Sequence, residues 1–235
     1  DYETKVCTED FFKSNETEDV TIWLPRNEVI ADFTISIEDD AEILPPTPYK
    51  YPPMLFYGSS ITEGGCCCRV TNAYNALISQ HLDIDYYNLG FSGGAKGELE
   101  IADFINTIPM SIFVCDYDYN APTVEHLEDT HHRFYEIIRE KNPDVPYIMI
   151  TRPNYYTSLR NSEDVANRRD VVMRSYLKAR EKGDKNVYFI DGASFMTSPH
   201  QYDTVVDGIH PSDAGFMRMA DGIGTVIRHI FEKNM

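Results

Sequence analysis

The 235-residue sequence is poor in basic charge: 21 Lys and Arg stand against 38 Asp and Glu, a formal net charge of −17. Nucleic-acid binding needs clustered Lys and Arg to meet phosphates. Here the basic residues, such as Arg168-Arg169 and Lys178 to Lys185, are scattered among acids. No nucleic-acid partner is expected, polyanionic substrates are disfavoured, and the acidity reads first as a solubility device. Long hydrophobic runs are also missing. The best, Ile112 to Cys115, is strand-sized, whereas a membrane span needs roughly 18 apolar residues. No membrane partner is expected either.

Cysteine is scarce and badly arranged for disulfides. The five are Cys7, the run Cys66-Cys67-Cys68, and Cys115, an odd count that leans towards a reducing, cytoplasmic compartment. Without a Cys-x-x-Cys spacing they read as packing residues, and no metal site is expected. Other ligand motifs fail on spacing. Asp116, Asp118 and Asn120 match the first half of a calcium loop, but Ala121 replaces its glycine and Leu127 its bidentate Glu. Gly90 to Gly97 fits neither phosphate-binding glycine motif. His131 and His132 point in different directions on a helix and have no second His at i+4 to share a metal. No cofactor is expected. The first residues, Asp1-Tyr2-Glu3-Thr4-Lys5, are not a secretory signal and carry no initiator Met, so the chain reads as processed, trimmed or partial. Secretion is expected only for a processed form.

What is present is an ordinary globular composition, 42% hydrophobic and 25% charged, with length enough for one medium domain. Residues 1–50 stand apart. Val20 to Leu24 and Val29 to Ile37 look like short strands, which makes this region a small β segment, followed by a stiff connector of Pro45-Pro46-Thr47-Pro48 and Pro52-Pro53. Residues 51–235 repeat one unit, a short apolar run and then a helical pattern. The runs are Met54–Tyr57, Tyr86–Leu89, Ile112–Cys115, Tyr147–Ile150 and Val187–Ile190. Val124, Leu127, Phe134 and Ile138 share one helical face behind Thr123, a suitable N-cap. Val165, Val172, Met173, Tyr176 and Leu177 form a second face, and Phe216, Met219, Ala220, Ile223, Ile227 and Ile230 a third. Such alternation predicts an α/β fold, a five-stranded, mainly parallel sheet between helical layers.

In such sheets ligands bind beyond the carboxyl ends of the strands. There the sequence places Ser60, the Gly90 to Gly94 loop, Asp116 to Asn120, Arg152-Pro153-Asn154, and the loop from Asp191 to His210. A hydroxyl nucleophile needs a base, a group to orient that base, and donors where negative charge develops. Ser60 follows the first run. In Asp207-Gly208-Ile209-His210 the three-residue spacing lets the carboxylate fold back on the imidazole, and Pro211 suits the start of the last helix. The lesser alternative for Asp207 is that it only caps its loop. Ser60 N–H, Gly93 N–H and the Asn120 amide supply three donors for an oxyanion.

These residues resemble the four blocks of the SGNH/GDSL hydrolases. Gly58-Ser59-Ser60-Ile61-Thr62 is similar to the Gly-Asp-Ser-Leu block, and Asn88 to Gly93 to the block ending in the oxyanion glycine. Asp116 to Asn120 stands where the Gly-x-Asn-Asp block belongs, and Asp207 to Pro211 resembles the Asp-x-x-His block. The match covers roughly residues 53–235. It departs at Ser59, where the family has Asp, and in the third block, which reads Asp-Tyr-Asp-Tyr-Asn-Ala-Pro. The resemblance implies a flavodoxin-like three-layer hydrolase with Ser60, Gly93, Asn120 and His210 in the signature roles and Asp207 completing the triad. It is nearest to bacterial esterases that deacetylate carbohydrates, whose small leading β domain residues 1–50 would echo.

The expected activity is hydrolysis of short acyl esters, acetyl first, on an oligosaccharide or small molecule. The alternatives are a lipase or thioesterase on the same machinery, or an inactive carbohydrate-binding module. A rival nucleophile is Ser92, because Gly90-Phe91-Ser92-Gly93-Gly94 fits the elbow Gly-x-Ser-x-Gly. An elbow needs a helix straight after its serine, and Gly93, Gly94 and Gly97 delay one. Tyr117, Tyr119 and Tyr155-Tyr156 are candidates to line a sugar groove. Arg152 is expected either to touch substrate or to pair with nearby acids.

Overall fold

Strand formation follows the five apolar runs closely. The computed structural model describes residues 5–26, 28–153, 162–197 and 200–233. In it β1 (Met54–Gly58), β2 (Tyr86–Gly90), β3 (Ile112–Asp116), β4 (Tyr147–Ile150) and β5 (Val187–Ile190) form one sheet in the order β2-β1-β3-β4-β5. All four pairings are parallel, with Gly58 in register with both Gly90 and Asp116. The order reverses at β1, so the crevice beyond β1 and β3 is the natural ligand position in a doubly wound sheet.

Each central strand feeds two cores because successive side chains alternate across the sheet. Leu55, Tyr57, Phe113, Cys115, Tyr147 and Met149 pack on one face, and Met54, Phe56, Ile112, Val114, Ile148 and Ile150 on the other. The first face is covered by α3 (Leu99–Ile105), α4 (Val124–Lys141) and α5 (Ser162–Glu181). The second is covered by α2 (Tyr74–Leu82) and α6 (Asp213–Lys233), which bears the whole expected stripe from Phe216 to Ile230. A short helix, α1 (Ser60–Glu63), directly follows β1. Thr123 caps α4, its side chain accepting the His126 N–H at 3.1 Å.

Two expectations need correcting. In α5 the buried stripe is Arg168, Val171, Val172, Ser175 and Ala179, while Leu177 is exposed. Helical phase, which turns positions 168, 171, 172, 175 and 179 inward together, overrides the apolar count. In residues 5–26 and 28–50 neither expected strand forms. A strand is stabilised by its cross-strand neighbours, and none of the described residues pairs as a strand with Val20 to Leu24 or Val29 to Ile37. The segment attaches by a few side chains instead. Trp23 lies 6.3 Å from the Tyr86 ring, and Arg26 hydrogen-bonds the Gly64 carbonyl and sits 3.8 Å from the Glu63 carboxylate.

Candidate active site

Close backbone approach builds the first part of the site. A Cβ on Gly58 would lie 2.1 Å from Thr62 Oγ1 and 2.2 Å from the Asp116 carbonyl oxygen. Glycine therefore lets α1 fold tightly over β1 and β3. Ser59 caps that helix: it is buried, its hydroxyl accepts the Ile61 N–H at 3.2 Å, and its own N–H donates to Asp116 O at 3.1 Å. The residue that departs from the Gly-Asp-Ser-Leu pattern thus does the work of an N-cap. Ser60, next in line, is the first residue of α1, where a backbone N–H has no acceptor within the helix.

The last loop brings the imidazole to this point from 150 residues away. His210 Nε2 lies 2.9 Å from Ser60 Oγ, and His210 Nδ1 lies 2.7 Å from Asp207 Oδ2. Asp207 Oδ1 accepts the backbone N–H groups of Ile209 and His210 at 2.9 and 2.7 Å. One oxygen of Asp207 thus caps the loop while the other faces the imidazole, so the side chain does more than cap. Partial burial works against ionisation of this carboxyl, but the hydrogen bonds from His210 and Ile209 outweigh it and pull it down to about 2. It is a carboxylate at neutral pH, so Nδ1 carries the proton and Nε2 is left as acceptor. The loop is pinned at its ends by Val206 N–H to His210 O, 2.9 Å, and a bridge between Val205 and Pro211.

The second and third blocks meet at one carbonyl. Phe91 O accepts Gly94 N–H at 2.9 Å, Ala95 N–H at 3.2 Å and the Asn120 amide at 3.0 Å. Gly93 sits in the intervening turn with φ +69°, a left-handed conformation that favours glycine, and open space surrounds its Cα. Ser92 lies in this same turn with no helix after it before α3 begins at Leu99. The geometry of an elbow is absent there.

One residue expected at a sugar groove sits elsewhere. Tyr117 is 1% exposed, hydrogen-bonds Thr130 Oγ1 at 2.9 Å and stacks on His131. It continues the inward alternation of Phe113 and Cys115 beyond the strand, which places it in the core. Arg152 covers the Tyr119 ring at 3.8 Å, and its Nη1 lies 3.7 Å from Asp164. The acid partner, one of its two expected uses, is thus in place. Tyr119 is half-buried beneath it. Asn154, Tyr155 and Tyr156 lie outside the described residues.

Sequence reasoning missed Arg168. This buried residue donates from Nη1 to the carbonyls of Asp118 and Ala121, 2.8 Å each, and so frames the turn carrying Asn120. Its Nε bonds Asp164, an i,i+4 pair that was visible in the sequence. Beneath the site Asp118 is driven up to about 6, by burial first, with Arg152 and Arg168 opposing. Asp116 is also raised, by burial and by the neighbouring Asp118. A separate concavity bounded by Tyr135, Arg139, Lys182 and Asp184 lies at the amino ends of β4 and β5. There Arg139 and Asp184 satisfy each other at 2.9 Å, a structural ion pair away from Ser60 and His210.

The chain matches known proteins in sequence and fold. Residues 51–228 match the GDSL-like lipase/acylhydrolase family. A GDSL-like lipase from Bacteroides ovatus is 30% identical, with a TM-score of 0.74 over 83% of this chain and 58% of its own. A family two carbohydrate esterase from Clostridium thermocellum, solved with cellohexaose, is 16% identical, with a TM-score of 0.65 over 81% of this chain and 67% of its own. A two-domain esterase active on acetylated mannans is 15% identical, with a TM-score of 0.60 over 77% and 49%. The chain therefore spans about half to two thirds of these structures, and the last two share its fold. No curated protein matches it in sequence. By the match over most of its length, this chain belongs to the GDSL-like lipase/acylhydrolase family.

Proposed function

We propose that the protein is a serine esterase that removes short acyl groups, acetyl foremost, from carbohydrate esters. One observation carries the reading: a continuous chain from Ser60 Oγ to His210 Nε2 at 2.9 Å and from His210 Nδ1 to Asp207 at 2.7 Å. It stands at the carboxyl edge of the sheet, where this fold binds ligands. His210 takes the hydroxyl proton as Ser60 attacks the ester carbonyl, and the Asp207 carboxylate stabilises the imidazolium. The N–H groups of Ser60 and Gly93 and the Asn120 amide receive the oxyanion. His210 returns its proton to the departing sugar oxygen, and water, deprotonated by the same imidazole, then frees the acyl group from Ser60.

The substrate class rests on two supports. The neighbouring folds include an esterase active on acetylated mannans and a carbohydrate esterase solved with cellohexaose. On the described loops beside the site the exposed apolar side chains are Phe91, Val206 and Ile209. Among the described residues these three side chains offer a small apolar surface, which favours a short acyl group. The test compares 4-nitrophenyl acetate with a long-chain 4-nitrophenyl ester, and acetylated with deacetylated mannan. Faster turnover of the acetyl ester and release of acetate from mannan are expected. Preference for the long chain favours a lipase, and sugar binding without hydrolysis favours a binding module.

A further inference from the structure

We propose that Cys66, Asp207 and His210 form a binding site for a thiophilic divalent cation, Zn²⁺ in the first instance, and that its occupation shuts the hydrolytic site. One ligand atom from each of these residues lies within 4.8 Å of the other two. Thiolate, imidazole and carboxylate are the donors zinc selects, commonly three from protein with water as the fourth. In tetrahedral zinc such atoms stand about 3.3 to 3.6 Å apart, given the usual metal–ligand lengths. The widest separation in the cluster therefore has to shorten by about 1.2 to 1.5 Å, within reach of side-chain rotation in the exposed Cys66, while the 2.7 Å contact of Asp207 with His210 opens by about 0.6 Å to admit the ion.

The placement of Cys66 is built into the backbone. Gly64 and Gly65 both donate to Ser60 O, at 3.1 and 2.7 Å, which ties the turn to the nucleophile's own residue. A Cβ at Gly65 would lie 3.5 Å from His210 Cδ2, so the turn runs alongside the imidazole. Cys66 follows with φ +71°, a left-handed conformation that a non-glycine residue rarely adopts. Its neighbours are occupied elsewhere: Cys67 Sγ is 3.3 Å from Arg26, and Cys68 lies against Asp213. The sequence hid this site because its ligands are about 140 residues apart and share no spacing motif.

Coordination exchanges the Cys66 S–H bond for S–Zn and releases the proton to solvent, with no change of oxidation state. The thiolate and the Asp207 carboxylate then balance the dication. Bound metal takes an imidazole nitrogen and the carboxylate away from Ser60, so hydrolysis stops until a chelator removes it. This consequence rests on the esterase reading, but the binding does not.

Co²⁺ serves as a spectroscopic probe on the reduced full chain, because a thiolate ligand gives a near-ultraviolet charge-transfer band. The band is expected at one equivalent in the wild type, in Ser60→Ala and in Cys68→Ser, lost in Cys66→Ser, and displaced by Zn²⁺. In the ester assay, zinc should inhibit at the concentration that displaces cobalt. Chelation should reverse it, and Cys66→Ser should need at least tenfold more zinc. A band absent from the wild type or unchanged in Cys66→Ser overturns the site, as does an unshifted zinc midpoint in that variant. Cobalt binding of the expected kind in a protein that hydrolyses no ester upholds the site and refutes the esterase reading.

Discussion

Asp207 grips His210 at two points, accepting its backbone N–H on Oδ1 at 2.7 Å and meeting its imidazole Nδ1 with Oδ2 at the same distance. A single carboxylate therefore sets both the shape of the loop and the orientation of the ring. Loop folding and base tautomer are coupled through one side chain, and different substitutions should separate the two roles.

Asp207→Asn keeps an oxygen for the loop N–H groups but presents an amide N–H to Nδ1, forcing the proton onto Nε2. The expected result is a fall of about a thousand- to ten-thousandfold in kcat with a nearly unchanged Tm. Asp207→Ala should lose comparable activity and also expose the Val206 to His210 loop to proteolysis. Steady-state kinetics and limited digestion measure the two effects.

Ser59→Ala removes the cap from α1 while leaving Ser60 in place. A lost serine cap costs about 1 kcal/mol, readable as a shifted midpoint in denaturant. Activity should fall as well, because the capped turn sets the position of the next residue.

Arg168 acts on the site through the turn holding Asn120. Asn120→Ala should lower kcat by about a hundred- to a thousandfold, the usual loss for one oxyanion donor. Arg168→Lys cannot hold both carbonyls as the guanidinium does and should cost less, about tenfold. The double variant should be no worse than Asn120→Ala, because both losses pass through the same amide.

Asp118 predicts a pH-dependent stability. Its folded value of about 6 lies above the ordinary 3.8, so between these limits the folded chain holds more protons than the unfolded. Stability should therefore be full below about pH 4 for this group and fall as pH rises to about 6, by roughly 2 to 3 kcal/mol. Asp118→Asn, which keeps an acceptor for Arg152 N–H, should flatten that slope in denaturant titrations run across this range.

The sheet was legible because five apolar runs, each four residues long, alternate with helical patterns, and central parallel strands have both faces buried. Thr123 and the stripe on α6 were legible for the same local reason. Gly58, Ser60 and the Asp207 to Pro211 segment announced themselves by type and spacing at strand ends. Other features depend on information no local window contains. Tyr117 follows the strand's alternation inward although it lies past the strand's end. Arg152 chose Asp164 because α5 brings that acid over β4. Val20 to Leu24 has the pattern of a strand, but a pattern supplies no partner to pair with. Cys66 meets His210 only through the turn that follows α1.

Covalent labelling tests the Ser60 assignment directly. Wild-type protein treated with a fluorophosphonate should gain one adduct by intact mass, mapped by peptide sequencing to Ser60. Ser60→Ala should gain none while keeping its circular dichroism, and His210→Ala should label at least a hundredfold more slowly. An adduct on Ser92, or labelling that persists in Ser60→Ala, would contradict the account.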